Sequence, residues 1–315
     1  MQTLELKPVA AIPPDTRTRV ADAVVRLAPA KAVPPPWRGK ALRRMHGEML
    51  LRGMVAACLA HARPNAEALA RGSGDPEHVH QLRVGLRRLR SAVRGLGRFA
   101  SALPAHWDSA LQPVFDALGE SRDRFVLDTE LMPGLRAAGA PALELAGPAG
   151  DELSARLLAL VRGEQFERAL AGLQAFADVQ VPGRGEPGDG LAELVRALRK
   201  LSRQVAKAAM RFDELPFEAQ HRTRKRLKRL RYLAEFAAPA FKRQDVKAWL
   251  RAVEAAQEAL GALIDRRLAA QRFEALAQDD PRALFAAGWL KAKTDRSERA
   301  ARRALGKLGR VDGFW

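Results

Sequence analysis

Cysteine is almost absent from this sequence of 315 residues, which contains only Cys58. A single thiol can form neither an internal disulfide nor a four-cysteine metal site, and it favours a reduced, cytoplasmic setting. The first seven residues, MQTLELK, place an acid early and lack the basic and apolar regions of a secretory signal. No run of about 20 uncharged apolar residues occurs. We therefore expect no membrane-spanning segment and no membrane partner.

Aromatic residues and acids are also scarce. There are 12 Phe, 5 Trp and 1 Tyr, and 36 acids stand against 54 Lys and Arg, which gives a net charge of +18. Proteins that bind single-stranded nucleic acid usually stack bases on aromatic rings, so the shortage of rings points to a polyanion that offers only phosphates. The composition alone leaves nucleic acid, an inorganic polyanion and an acidic membrane surface as alternatives.

Alternating β-branched segments are missing, whereas leucine and alanine recur at helical spacing, so the sequence predicts an all-α fold. Seven prolines between positions 8 and 36 predict an extended or weakly helical leader over residues 1–37. The predicted helices span 38–62, 76–101, 106–120, 122–139, 150–178, 189–212, 216–240, 243–278 and 281–309, with possible breaks near glycines in the regions 106–139 and 243–278.

An internal repeat organises these helices. The segment HQLRVGLRRLR at 80–90 returns as HRTRKRLKRLR 141 residues later, and a Leu-Gly-x-x-x-Asp-Arg element at 118–124 returns at 260–266. Two motifs that recur at nearly one offset indicate a tandem duplication. We expect a first repeat over 38–178 and a second over 189–311, each with about four helices.

Each copy of the longer motif, here called a signature helix, carries a basic stripe beside an apolar seam. Residues spaced by three and four share one helix face. The stripes consist of His80, Arg83, Arg87, Arg90 and Arg94 in the first copy, and of His221, Arg224, Lys228 and Arg231 in the second. No acid occurs between Glu77 and Asp108, or between Glu218 and Glu235. A solvated face is the ordinary explanation for one such stripe, but two unneutralised copies favour an external anion or acids from another helix.

Two further helices carry cations on one face. The helix before the second signature has Arg196, Arg199, Lys200, Arg203, Lys207 and Arg211, and the last helix has Arg296, Arg299, Arg303, Lys307 and Arg310. For the last helix a plain surface role is the favoured interpretation.

The histidines and the repeated acids do not form a catalytic motif. His80 and His221 have no further metal-ligating residues at suitable spacing on their helices, and the sequence has no Gly-rich phosphate loop and no paired acids. Phosphate contact is the favoured interpretation for both histidines, ahead of packing or capping. For Asp123 and Asp265 we expect an ion pair that positions a basic side chain. We predict no catalytic residue, no metal site and no cofactor.

The two signatures, HxxRVxLRRLR and HxxRKxLKRLRY, together with the two LG-x3-D elements, resemble those of the CHAD family, the conserved-histidine α-helical domain. The resemblance covers residues 38–311. It implies two four-helix bundles related by pseudo-twofold symmetry, with the signature helices meeting in a central basic cavity. It also implies binding of inorganic polyphosphate and association with polyphosphate granules.

Matching positions give the implied polyphosphate contacts: His80, Arg83, Arg87, Arg88, Arg90, His221, Arg224, Lys228, Arg229 and Arg231. Arg94 is a further candidate, although its counterpart in the second copy is Glu235. The neighbouring basic positions Arg203, Lys207 and Lys225 complete the candidate set.

Many members of that family carry a triphosphate-tunnel hydrolase domain before this module. Its ExExK strand is not found here, because Leu4-Glu5-Leu6-Lys7 keeps only the last Glu-x-Lys. We expect no triphosphatase activity and favour a non-enzymatic polyphosphate-binding module. The alternatives are a nucleic-acid binder, for which we expect only weak and non-specific contacts, and an enzyme that uses Mg²⁺ at Asp123 and Asp265.

Overall fold

The computed structural model describes residues 28–32, 35, 37–143, 150–179 and 188–315, and every regular element in these ranges is helical. The expected all-α fold is therefore confirmed. Most of the predicted leader lies outside the described residues. Trp37, at the end of that segment, is buried in the core, with its ring 6.4 Å from that of Phe236.

Eleven α-helices occur in the described part of the chain. They are α1 (Gly39–Arg44), α2 (Gly47–Ala70), α3 (Pro76–Gly95), α4 (Trp107–Val126), α5 (Met132–Ala137), α6 (Gly150–Val161), α7 (Glu164–Asp178), α8 (Asp189–Met210), α9 (Phe217–Ala237), α10 (Arg243–Leu276) and α11 (Ala283–Leu308). A π-helical turn at Leu127–Leu131 joins α4 to α5.

Several helix boundaries differ from the predicted ones. The segment 150–178 forms two helices, because Gly163 adopts an extended conformation and begins α7. By contrast, α10 continues through Gly261 for 34 residues, and α4 passes Gly119 without a break. Helix α2 extends beyond Pro64 to Ala70, since Ala66 and Leu69 are buried in the core. Tertiary packing outweighs local propensity at these places.

Helix α3 begins at a well-defined N-cap. The Asp75 carboxylate accepts a hydrogen bond from the backbone N–H of Glu77 at 2.8 Å, and Pro76 occupies the first turn, where its missing N–H costs nothing. Beyond this start the apolar seam of the signature, including Leu82, Leu86 and Leu89, is buried. The basic stripe is thereby fixed on a neighbouring face.

The two signature helices, α3 and α9, pack against each other. On the far sides of this pair, α3 contacts α2 and α4, and α9 contacts α8 and α10. One hydrophobic core includes residues from both predicted repeats, and a smaller core lies between the π-helical turn, α5, α10 and α11. The division into two bundles with pseudo-twofold symmetry, and the repeat boundaries, stay predictions.

Candidate anion-binding site

The signature helices approach closely at the end of α3. A Cβ at Gly95 would stand 2.8 Å from a methyl carbon of Leu233, so the absence of a side chain allows this contact. The Arg229 guanidinium reaches across and donates to the backbone carbonyl of Arg94 at 2.8 Å. Because α3 and α9 touch, their basic stripes are brought together.

Four cations form what we call the central cluster: Arg83 and Arg87 from α3, and Arg224 and Lys228 from α9. Each of these side chains lies in the electrostatic field of others from the opposite helix. His80 adjoins the cluster on the side of Lys228, and His221 adjoins it beside Arg224 and Arg87. The two basic stripes therefore lie next to each other where α3 and α9 pack together.

Burial sets the electrostatics of the central cluster. It is the largest cause that lowers the pKa of Lys228 to about 6, and the neighbouring guanidinium groups lower it further. Burial likewise lowers the pKa of Arg83 to about 10, and it lowers the pKa of Arg87. At neutral pH Arg83 therefore remains charged, whereas Lys228 is largely neutral.

The cluster also contains hydrogen-bond donors without a partner in the described structure. The Nε atoms of Arg83, Arg87 and Arg224 are buried and donate to no protein acceptor there. A buried donor that makes no hydrogen bond costs about 1–3 kcal/mol, and more when the group is charged. Three such donors in one cluster therefore favour an anion that supplies the missing acceptors.

Two acids from the repeated LG-x3-D elements adjoin the cluster. Asp265 forms an ion pair with Arg224 at 3.2 Å, as predicted for a positioning residue. Burial raises the pKa of this carboxyl, although the nearby Arg224 and Lys228 oppose the shift. Asp123 makes no ion pair within the described residues, but it lines a cavity of about 70 Å³ together with Asp265. Two acids leave the cluster with an excess of positive charge.

The remaining arginines of the first signature are held by contacts within the protein. The Arg90 guanidinium donates to Asp108 and Gln112 and stacks 4.1 Å from the centre of the Phe115 ring. Exposed Arg94 lies 3.7 Å from the same aspartate. Arg88 is only 3% exposed and lies over a phenylalanine ring of α9. Each of these three side chains therefore lies within about 4 Å of an acid, Asp108 for Arg90 and Arg94 and Glu235 for Arg88, although the Nε of Arg88 is also buried without an acceptor in the described structure.

The end of the second signature is similar. Arg231 pairs with Glu235 on its own helix at 2.9 Å and lies 3.7 Å from Glu254. The Arg229 guanidinium donates to the carbonyl of Arg94, although its Nε is buried without an acceptor in the described structure. In the middle of the two stripes, Arg83, Arg87 and Lys228 make no ion pair within the described residues.

Comparison with known proteins agrees with these observations. The family model of the CHAD domain matches residues 53–274, a range that includes both signature helices and the whole central cluster. The chain belongs to the CHAD family. CHAD domains are linked in general to polyphosphate binding. The crystal structure of the CHAD domain from the plant Ricinus communis is similar, with a TM-score of 0.70 and 25% sequence identity over 91% of this chain and 99% of that one. No curated protein matches the chain.

Three predicted site residues of this CHAD domain lie away from the central cluster. Arg203 and Lys207 are exposed on α8, where Arg203 lines a concave surface with Arg196 and Arg199. Lys207 lines a second concave surface together with Arg226 of α9. At 100° per residue, Arg226 stands about 160° from both Arg224 and Lys228, on the other side of α9. The exposed Lys225 is an electrostatic neighbour of His221 only at the edge of the cluster.

Two neighbours of the cluster were not among the predicted site residues, although both lie within the repeated motifs. Arg122 lies near His80 and Arg83, and with His80 it lines a cavity of about 330 Å³. The buried Tyr232 lies beside Arg87. Arg122 directly precedes Asp123 in the first LG-x3-D element, and Tyr232 is the last residue of the second signature, so their places in these motifs were the available signal. In the described part of the chain, no helix is long and apolar enough to span a membrane.

Proposed function

We propose that the chain binds inorganic polyphosphate in the central cluster and does not catalyse a reaction on it. The observation that carries this proposal is the set of buried guanidinium Nε donors on Arg83, Arg87 and Arg224, which come from two helices and lack acceptors within the described protein. The general link between CHAD domains and polyphosphate supports the same ligand.

The chemistry of polyphosphate fits these donors. The polymer carries a negative charge at every phosphate and has no bases, so successive phosphates can accept hydrogen bonds from successive arginines. Burial, the largest cause, lowers the pKa of His80 and of His221, which leaves both rings mostly neutral at neutral pH in the free protein. A bound polyanion would raise these values and allow each ring to donate from both nitrogens.

We propose a binding role without catalysis because the central cluster is cationic and presents buried guanidinium donors that match the acceptor oxygens of a polyanion. The rival hypothesis uses Mg²⁺ held by Asp123 and Asp265. Incubation of the purified protein with polyphosphate and Mg²⁺ tests it. We expect no phosphate release above that of a boiled control, whereas release that continues over many turnovers would establish an enzyme.

Nucleic acid is the second candidate ligand, and the exposed cations of α8, such as Arg199 and Arg203, are the observation that favours it. A duplex can lie across this open face but is too wide for a cluster between two packed helices. Single strands would have to bury bases with few aromatic partners and would forgo roughly 1–3 kcal/mol of stacking per base. We expect long-chain polyphosphate to displace labelled RNA and duplex DNA at matched phosphate concentration and at ~150 mM salt. Equal competition would favour a generic polyanion surface.

In the cell, we propose that this binding places the protein on cytoplasmic polyphosphate granules. A fluorescent fusion should form foci that coincide with granules and disperse when polyphosphate synthesis is blocked. The same fusion carrying Arg83→Gln and Arg87→Gln should stay diffuse. Foci that persist with both substitutions would show that another surface directs localisation.

A further inference from the structure

Lys228 is the one amine among the four cations of the central cluster, and within the described residues its side chain, like those of Arg83 and Arg87, makes neither an ion pair nor a hydrogen bond. It is half-buried on α9, and its electrostatic neighbours are Arg224 on its own helix and Arg83 and Arg87 on α3. The nearest acid, Asp265 of α10, is already paired with Arg224. The amine therefore stands among guanidinium groups without a carboxylate of its own.

The charged groups around this amine come from four helices. Helix α3 contributes His80 in addition to its two arginines, and α4 contributes Arg122 and Asp123 at the edge of the cluster. Counting both aspartates, the positive charges of the arginines still exceed the negative charges. A further positive charge, on protonated Lys228, is therefore unfavourable among these arginines, and a negative charge at the same position would be favourable.

A neutral lysine amine is a nucleophile. Because the pKa of Lys228 is about 6, the amine is neutral in most protein molecules at pH 7.4. An ordinary lysine, with a pKa of ~10.4, is neutral in only about one molecule per thousand at that pH. An amine that is neutral at this pH reacts far more readily with a small electrophile than a protonated one does.

We propose that Lys228 is a carbamylation site that takes up CO₂. The Nζ lone pair forms a bond to the carbon of CO₂, one C=O π pair moves onto oxygen, and the amine loses one proton to water. The product is a carbamate with a single negative charge on two oxygens. CO₂ is small and uncharged, so it can reach a half-buried amine that larger electrophiles would not.

The buried donors of the cluster match this product. A carbamate on Lys228 would place two acceptor oxygens beside Arg83, Arg87 and Arg224, whose Nε atoms lack partners in the described structure. Charge-assisted hydrogen bonds from these groups would stabilise the carbamate against loss of CO₂. The carbamate would thus be an anion covalently attached to the chain, in the place of the polyphosphate that we propose the cluster binds.

A regulatory consequence follows, and it rests on the proposed function. A carbamate would repel polyphosphate and occupy its donors, so CO₂ and polyphosphate would compete. We expect polyphosphate affinity at fixed pH and ionic strength to fall about tenfold when bicarbonate-equilibrated buffer replaces CO₂-free buffer, an effect equivalent to ~1.4 kcal/mol.

The modification itself is tested by ¹³C NMR of the full chain in ¹³C-bicarbonate. We expect one protein-bound carbamate resonance that is separate from bicarbonate and dissolved CO₂, is lost in Lys228→Met and is kept in Lys225→Met. Lys225 is the matched control, because it is exposed and three residues away on the same helix. No resonance at saturating bicarbonate, or one that survives Lys228→Met, would overturn the proposal.

A second measurement needs no variant and covers a failure of Lys228→Met to fold. The carbamate of the wild-type protein can be trapped by O-alkylation and located by peptide mass spectrometry. The trapped group should lie on Lys228, and its occurrence only on exposed lysines would overturn the proposal. If Lys228 is carbamylated but polyphosphate affinity is unaffected by CO₂, polyphosphate binds elsewhere. The proposal that it binds in the central cluster is then wrong, and the carbamylation of Lys228 stands. If polyphosphate binding depends on Arg83 and Arg87 but no carbamate forms, only this inference fails.

Discussion

The central cluster and the basic face of α11 carry similar charges in different surroundings. On α11 the cations Arg299, Arg303 and Lys307 are exposed to water. In the central cluster, Arg83 and Arg87 are desolvated enough for their pKa values to fall, and their buried Nε atoms find no acceptor in the described protein. The difference teaches that counting positive residues does not locate an anion site. The loss of water around them is the better guide.

Neutralising part of each region should give the largest contrast. We expect Arg83→Gln with Arg87→Gln to weaken polyphosphate binding at least ~100-fold, because each desolvated arginine loses a charge-assisted contact of about 1.5–3 kcal/mol and ~1.4 kcal/mol is a factor of ten. The matched pair, Arg299→Gln with Arg303→Gln, should weaken it less than about threefold at ~150 mM salt, since exposed charges are screened. Isothermal titration calorimetry of both variants makes the comparison. Equal losses would mean that net charge alone drives binding.

Unpartnered and paired arginines should also differ in how much they contribute to the stability of the ligand-free protein. Removing an unpartnered buried charge by Arg83→Met should stabilise the ligand-free fold by about 1–2 kcal/mol while weakening polyphosphate binding. Arg90→Met is the control, because it breaks the pair with Asp108 and should lower stability. Thermal denaturation measures both. A lower Tm for Arg83→Met would indicate that the protein itself satisfies this arginine.

Protonation of Lys228 gives a smaller, pH-dependent effect. Its folded pKa of about 6 lies below the ordinary ~10.4, so the unfolded chain binds more protons between these values and this residue's contribution to stability rises with pH. The bound polyanion should restore the proton, so polyphosphate affinity should fall from pH 6 to pH 8.

Titrations in CO₂-free buffer check this pH dependence. Lys228→Met should reduce the slope of affinity against pH but not abolish it. His80 and His221, whose pKa values are lowered chiefly by burial, titrate with the same sign. An affinity independent of pH in the wild-type protein would contradict a desolvated cluster.

The smallest effect is expected on α8. Because Arg203 and Lys207 are exposed and lie outside the central cluster, changing both to alanine should alter polyphosphate affinity less than about twofold at ~150 mM salt. The loss should increase at low salt, where long-range attraction is less screened. A tenfold loss at the higher salt would extend the site onto this helix.

The sequence predicted the parts of the site that depend on helix periodicity. The spacing of His80, Arg83 and Arg87, and its repetition 141 residues later, predicted two basic stripes, and the resemblance to the CHAD family implied that the two helices meet. Periodicity could not show which stripe members are already paired. The partner of Arg90 is Asp108 on the next helix, and Arg229 bonds to a backbone carbonyl of α3. Such contacts depend on tertiary packing.

The placement of α8 shows the same limit. Its basic face was predicted from the spacing of Arg196, Arg203 and Lys207, but the direction of that face depends on how its leucines pack against the core. The break at Gly163 and the unbroken course of α10 through Gly261 also depend on packing, because glycine permits both outcomes.

The central claim is that polyphosphate binds where the two signature helices meet. A crystal structure of the protein with a polyphosphate chain tests it most directly. We predict phosphate oxygens within about 2.7–3.2 Å of the Nε atoms of Arg83, Arg87 and Arg224. Polyphosphate confined to the exposed faces of α8 or α11, with no phosphate at the central cluster, would contradict it.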